Sequence, residues 1–141
     1  MNSANADNAL DHVDNAAGQP DWQNRLRTHA GNVPEIVVSL CDAFLQEVPS
    51  LLTKIRRSLQ GGDHSQLTNS IHTLKSCLAY VAPESQIQIA AELENKSRSA
   101  ESVADQSFVK EFDQLESIAR QWITKIEAMR AEIKASGDRV N

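Results

Sequence analysis

Phe108, Phe112, Leu115, Ala119, Trp122, Ile126, Met129 and Ile133 follow one another at alternating steps of four and three. That spacing lays every one of them on a single face of a long α-helix and fits no strand. A helix with such a seam must bury it, either against another chain as a coiled coil or inside its own bundle. Three upstream segments carry the same periodicity, so the bundle is the expected solution. Four prolines, five glycines and 4% aromatic residues also leave too little turn chemistry for a β-sandwich or barrel. The expected fold is all-α, an antiparallel four-helix bundle with a short additional N-terminal helix.

The helix boundaries are written in capping residues. A short helix opens at Asp21 and carries Trp22 and Leu26 on one side. Asn32-Val33-Pro34-Glu35 joins a capping residue, an early proline and a following glutamate, a helix start. Val37, Leu40, Cys41, Phe44, Val48, Leu51, Leu52, Ile55 and Leu59 then recur helically until Gly61-Gly62 ends the run. Pro49, inside it, is expected to kink it. Asp63 and Gln66 open the next helix, with Leu67, Ile71, Leu74, Leu78 and Val81 as its stripe. Pro83-Glu84 opens a fourth, weaker one through Ile87, Ala90, Ala91 and Leu93, fading over residues 96–99; the last begins around residues 102–106.

The ends read differently. Residues 1–20 hold Asp7, Asp11 and Asp14, no Lys or Arg, and only Leu10 and Val13 as sizeable apolar side chains. They are expected to form a disordered acidic tail or linker, because they cannot bury enough surface to offset ordering. The bundle is assigned to residues 21–135 and a disordered C-terminus to 136–141. A net charge of −5 argues against a general nucleic-acid binder. No apolar run approaches a membrane span, and the N-terminus has neither the basic nor the greasy region of a secretory signal. Cys41 and Cys77 fit no metal spacing and no disulfide framework, which suits a reducing cytoplasm.

The chemistry lies in Ser70-Ile71-His72-Thr73-Leu74-Lys75-Ser76-Cys77-Leu78-Ala79-Tyr80. His72 falls roughly 140° from the middle of the apolar stripe, and Thr68, Lys75, Ser76 and Ala79 lie within about 60° of it. One histidine, one lysine and three small residues make a face cleared of bulk. An unprotonated imidazole is a good nucleophile near neutral pH. Lys75, one turn on, could set an ammonium against the oxygens of a transferred phosphoryl group. An ordinary exposed histidine beside an ordinary lysine has the same spacing, so the pattern alone leaves both readings open.

His72-Thr73-Leu74-Lys75, with Leu93-Glu94 in register downstream and Phe44-Leu45, Pro49, Leu51-Leu52 and Gly62-Asp63 upstream, resembles the histidine-containing phosphotransfer (HPt) domain of phosphorelays. The resemblance spans roughly residues 21–130. Ser76 and Ala82 stand where that family has glycines, and Gln86 where it has a buried leucine, with Ile87 placed to take over the packing. The resemblance implies a phosphorelay intermediate that accepts a phosphoryl group on His72 from a receiver aspartate or a kinase and passes it to another receiver. It implies no cofactor of its own and Mg²⁺ on the partner receiver; the lack of an ATP motif, the acidic charge, the absence of an apolar run and a seam that one bundle can bury give the further expectation of a monomer without kinase activity that binds neither nucleic acid nor membrane. Docking is expected over Thr68, Ser76 and Ala79. Glu94 is implied to lie beside the imidazole and take its Nδ1 proton; a solvated carboxylate at a helix end is the other reading of that residue. The rival function is a non-catalytic helical adaptor that binds a receiver or a partner helix. A third is an oligomerising module built on the last helix. Among other candidates, His12, His29 and His64 are poorly placed, and Cys41, Cys77, Trp22, Trp122 and Tyr80 read as core or rim.

Overall fold

A computed structural model describes residues 21–140, with the side chains of residues 138–140 excepted. The described residues form six helices and no strand: α1 (Asp21–His29), α2 (Pro34–Gly61), α3 (His64–Leu78), α4 (Glu84–Lys96), α5 (Ala100–Ala104) and α6 (Gln106–Val140). Helix α2 packs against α3 and α6, and α4 packs against the same two, so the four longer helices close a ring around one core. Helix α1 leans on α2, and α5 on the start of α6. The α6 seam is buried from Phe108 to Met129, with Ile133 partly covered. Val37, Cys41, Phe44, Val48, Leu51, Leu52 and Ile55 meet it from α2, Leu67, Ile71, Leu74 and Leu78 from α3, and Ala90 and Leu93 from α4.

Several local expectations are refined. Asn32 does not cap α2; it adopts a left-handed φ of 62°, after Gly31 at 65°, and Val33 is the N-cap without a side-chain bond. The tight turn from α1 uses the tolerance of asparagine for that region, and Glu35 complements the positive end of α2. Helix α2 stays one helix across Pro49, which forgoes a single intrahelical donor. Gly62, at φ 74°, ends it as a left-handed cap whose N–H bonds to the Ser58 carbonyl. Asp63 then accepts from the Gln66 amide at 3.0 Å, the capping pair that sets where α3 begins.

Two boundaries differ from the sequence reading. Helix α5 is an additional short element, capped by the Ser99 side chain. Helix α6 continues through Val140, past residue 135. The acidic segment 1–20 lies outside the described residues. Helix α2 is long and, on average, apolar enough to cross a membrane, with a mean hydropathy of 1.4 over its best 18 residues, although polar and charged residues interrupt any continuous apolar run. Its average is high because one face supplies the bundle core while Asp42, Gln46 and Glu47 stay exposed on the other.

The ring is tied by polar contacts at its edges. Arg56 on α2 pairs with Asp113 and Glu116 on α6 and lies over the Phe112 ring. Trp22 and Trp122 meet edge to face at 5.2 Å, and the Trp122 indole N–H donates to Gln86 Oε1 at 2.7 Å. The polar residue at position 86 therefore has a partner that leucine could not satisfy, while Ile87 packs on the core. Phe112 is fully buried at the centre of the seam. Phe112→Ala is expected to lower the unfolding free energy by about 3–5 kcal/mol, read from urea titration followed by circular dichroism; a loss below 1 kcal/mol would mean that the seam is not packed as described.

Candidate functional site

The register of α3 turns His72 outward. Asp63 starts the helix, Leu67, Ile71, Leu74 and Leu78 take the buried face, and the His72 side chain remains 58% exposed. Across from it stands the last turn of α4, where Leu93 anchors the core and Glu94 reaches back towards α3. The Glu94 side chain is only 8% exposed. His72 Nδ1–H donates to Glu94 Oε2 at 3.0 Å. Nε2 then carries the lone pair, and no group among the described residues meets it.

Glu94 is held from three sides. Besides the imidazole, Arg98 Nη2 donates to Oε2 at 3.0 Å, and Lys75 Nζ lies 2.8 Å from Oε1. The lysine contact is an ion pair outside hydrogen-bonding geometry, so Oε1 has charge beside it but no directional bond. A carboxylate near the C-terminal end of a helix faces the negative end of the dipole and needs such cations. Burial pushes the Glu94 carboxyl up; the contacts from Lys75 and His72 outweigh it, and the group sits below the usual carboxylate range.

The expected site residues fall into three groups. His72, Lys75 and Glu94 are together, but Lys75 is turned to Glu94 rather than to open space, with its side chain 28% exposed. It lies on the α4 side of His72, and Glu94 is the anion within its reach. Ser76, one turn on from His72, and Ala79, the C-cap of α3, are both exposed, as expected of a cleared face. The Ser76 hydroxyl donates to the His72 carbonyl at 3.2 Å, which turns it away from the ring. Thr68 is not part of the open face. It is half-buried, 2.7 Å from Ser97 Oγ. Ser97 spends its one hydroxyl proton on the Glu94 carbonyl at 2.6 Å, so Thr68 is the donor between them. These two hydroxyls fasten α3 to the end of α4 beside Glu94.

Arg98 and Ser97 were not singled out by the sequence reading. A Glu-x-x-x-Arg spacing, Glu94 to Arg98, is the signal that could have found the arginine. The remaining candidates lie elsewhere. His29 meets Tyr80 edge-on at 5.2 Å, His64 is half-buried in the first turn of α3, and His12 lies outside the described residues. Cys41 is buried and Cys77 half-buried, and burial pushes both thiols up, away from the reactive thiolate. Among the described residues no three His, Cys, Asp or Glu side chains are grouped to hold a metal ion.

The depressed Glu94 pKa has a definite sign in stability. A carboxylate held below its unfolded value stabilises the fold above that value, near 4.3, and loses the contribution as pH falls through the folded pKa. Glu94→Gln is therefore expected to cost about 1–3 kcal/mol at neutral pH, and the difference from wild type should shrink below about pH 4. Urea unfolding of both proteins across that range measures it. A gap of constant size would show that the charge of Glu94 contributes nothing.

A family model, the Hpt domain, matches residues 39–134, which is more than half of the chain and includes His72, Lys75, Glu94 and Arg98. No curated relative and no solved structure matches the chain. The matched segment covers α3, α4 and nearly all of α2 and the α6 seam, the elements that build the ring and hold the imidazole. Extent of match, all-helical architecture and the exposed histidine agree, and the chain belongs to the Hpt-domain family, the helical phosphocarriers of two-component signalling.

Proposed function

We propose that His72 is the phosphoacceptor of a phosphorelay intermediate, taking the group from a receiver aspartate or a kinase and passing it to another receiver. The observation that carries this reading is the His72–Glu94 contact. It ties up Nδ1 and leaves the Nε2 lone pair on an open face. In the transfer from a receiver, Nε2 attacks phosphorus in line as the bond to the aspartyl oxygen breaks, and the aspartate leaves as a carboxylate. The Nδ1 proton stays between the ring and Glu94, which offsets the positive charge that develops on the imidazole. Passing the group on reverses these steps at a second aspartate. Mg²⁺ belongs on the carboxylates of the receiver.

Lys75 and Arg98 add two positive charges beside a single carboxylate. That surplus favours an incoming phosphoryl group before any direct contact is made. Ser76 and Ala79 are small enough for a partner backbone to approach until the reacting atoms are within about 3–3.5 Å. Next to them a mostly apolar groove, lined by Leu40, Phe44 and Glu47 of α2 with Cys77 and Tyr80 and reaching Leu26 of α1 and Ile126 of α6, offers a receiver a surface to bury. Burial of the α6 seam within one chain supports a monomer, and the unpaired cysteines suit the cytoplasm.

His72→Gln should abolish uptake of label from a phosphorylated receiver with little change in melting temperature, since the side chain is largely exposed and the glutamine amide can donate to Glu94 in place of the ring. Acid-labile, base-stable label on the wild type identifies phosphohistidine. Continued uptake by the variant would move the chemistry to another residue. Retained receiver binding with no uptake by the wild type would favour an adaptor.

Ala79→Arg should weaken receiver affinity at least about tenfold, equivalent to ~1.4 kcal/mol. The same change at Gln114, exposed on α6, should be silent. Titration of a labelled receiver reads both, and equal affinities would place the partner elsewhere.

A further inference from the structure

Three donors share the two oxygens of Glu94, and they are not equivalent. His72 Nδ1 and Arg98 Nη2 both sit 3.0 Å from Oε2, whereas Lys75 stands alone at Oε1 in a poorly directed contact. The terminal torsion of a glutamate is broad and turns easily. A turn of the carboxylate towards Lys75 would convert that contact into a hydrogen bond between two full charges, stronger than the one a neutral imidazole N–H gives to the same carboxylate. The arrangement seen therefore needs something that holds Oε2 in place. The guanidinium of Arg98 is the group that does so. Arg98 follows the C-cap Ser97 of α4, its side chain is 60% exposed, and Glu94 is the partner of its guanidinium.

We propose that Arg98 is a positioning residue: by pinning Glu94 Oε2 it keeps the imidazole proton on Nδ1 and so leaves Nε2 bare. The consequence for transfer rests on His72 being the phosphoacceptor. Once Oε2 is released, the ring proton is free to occupy either nitrogen. Every molecule with the proton on Nε2 has no lone pair there to attack phosphorus. Arg98 touches neither His72 nor the incoming group; it acts through Glu94.

The test uses the full chain with ¹⁵N-labelled histidine, as wild type, Arg98→Ala and Arg98→Lys. His72 signals are assigned by their loss in His72→Gln. Imidazole nitrogen shifts, recorded where the ring is neutral, report which nitrogen carries the proton. The wild type should show Nδ1–H with a bare Nε2, Arg98→Ala a mixture of both forms, and Arg98→Lys a return towards the wild type. In parallel, single-turnover transfer from a receiver charged by a small phosphodonor should fall about tenfold in maximal rate for Arg98→Ala. That is less than the ~10²-fold penalty of a reacting group misplaced by 1 Å. The receiver concentration for half-maximal rate reads the lost charge separately and should return to the wild-type value in Arg98→Lys, which keeps that charge. A single Nδ1–H form retained in Arg98→Ala overturns the positioning role, whatever the transfer rate does. A mixture in that variant, with no phosphoryl uptake by the wild type, supports the role and overturns the phosphoacceptor assignment instead.

Discussion

The carboxylate of Glu94 sits where charge is hardest to keep, nearly buried and close to the negative end of α4. It persists because Lys75, Arg98 and His72 converge on it. His72 and Lys75 come from α3 and Arg98 from just past the end of α4, so the cluster forms only when α3 and α4 are packed in one register. The ring of helices is thus the means by which a single anion is brought beside a single imidazole.

Packing sets that register. Leu74 and Leu78 of α3 and Leu93 of α4 are completely buried, and each lies next in sequence, or within two turns, of a member of the cluster. The hydroxyl pair Thr68–Ser97 adds a short cross-brace at the same level. A rotation of α3 large enough to withdraw His72 from Glu94 would expose leucines to water, at about 25 cal/mol for each Å² uncovered. Apolar burial thereby fixes the orientation of a polar site that contributes little to the core itself.

Much of this was legible beforehand. The α6 seam and the stripes of α2 and α3 are long and strongly periodic, and the buried residues are the ones their spacing names. Asp63 and Gly62 act where capping rules place them. The outward direction of His72 followed from helical angles alone. What angles could not tell is where a flexible side chain ends. Thr68 lies within the cleared sector yet is consumed by Ser97, and Lys75 bends to Glu94, because a neighbouring helix supplies partners that one helical wheel cannot show. Asn32 was misassigned for a similar reason: the same residue type serves as a cap and as a left-handed turn, and the preceding helix decides between them. Arg98 follows the fading end of α4, beyond the stripe that drew attention to that helix.

Both tryptophans of the chain are Trp22 and Trp122, and they lie against each other. Trp122 also bonds to Gln86, which is eight residues before Glu94 and therefore about 12 Å from it along α4. Tryptophan fluorescence then reports on one place only, the seat of α1 on α6. A spectroscopist would see α1 come loose as a change in emission, while events at the imidazole, an optical blind spot, passed unseen.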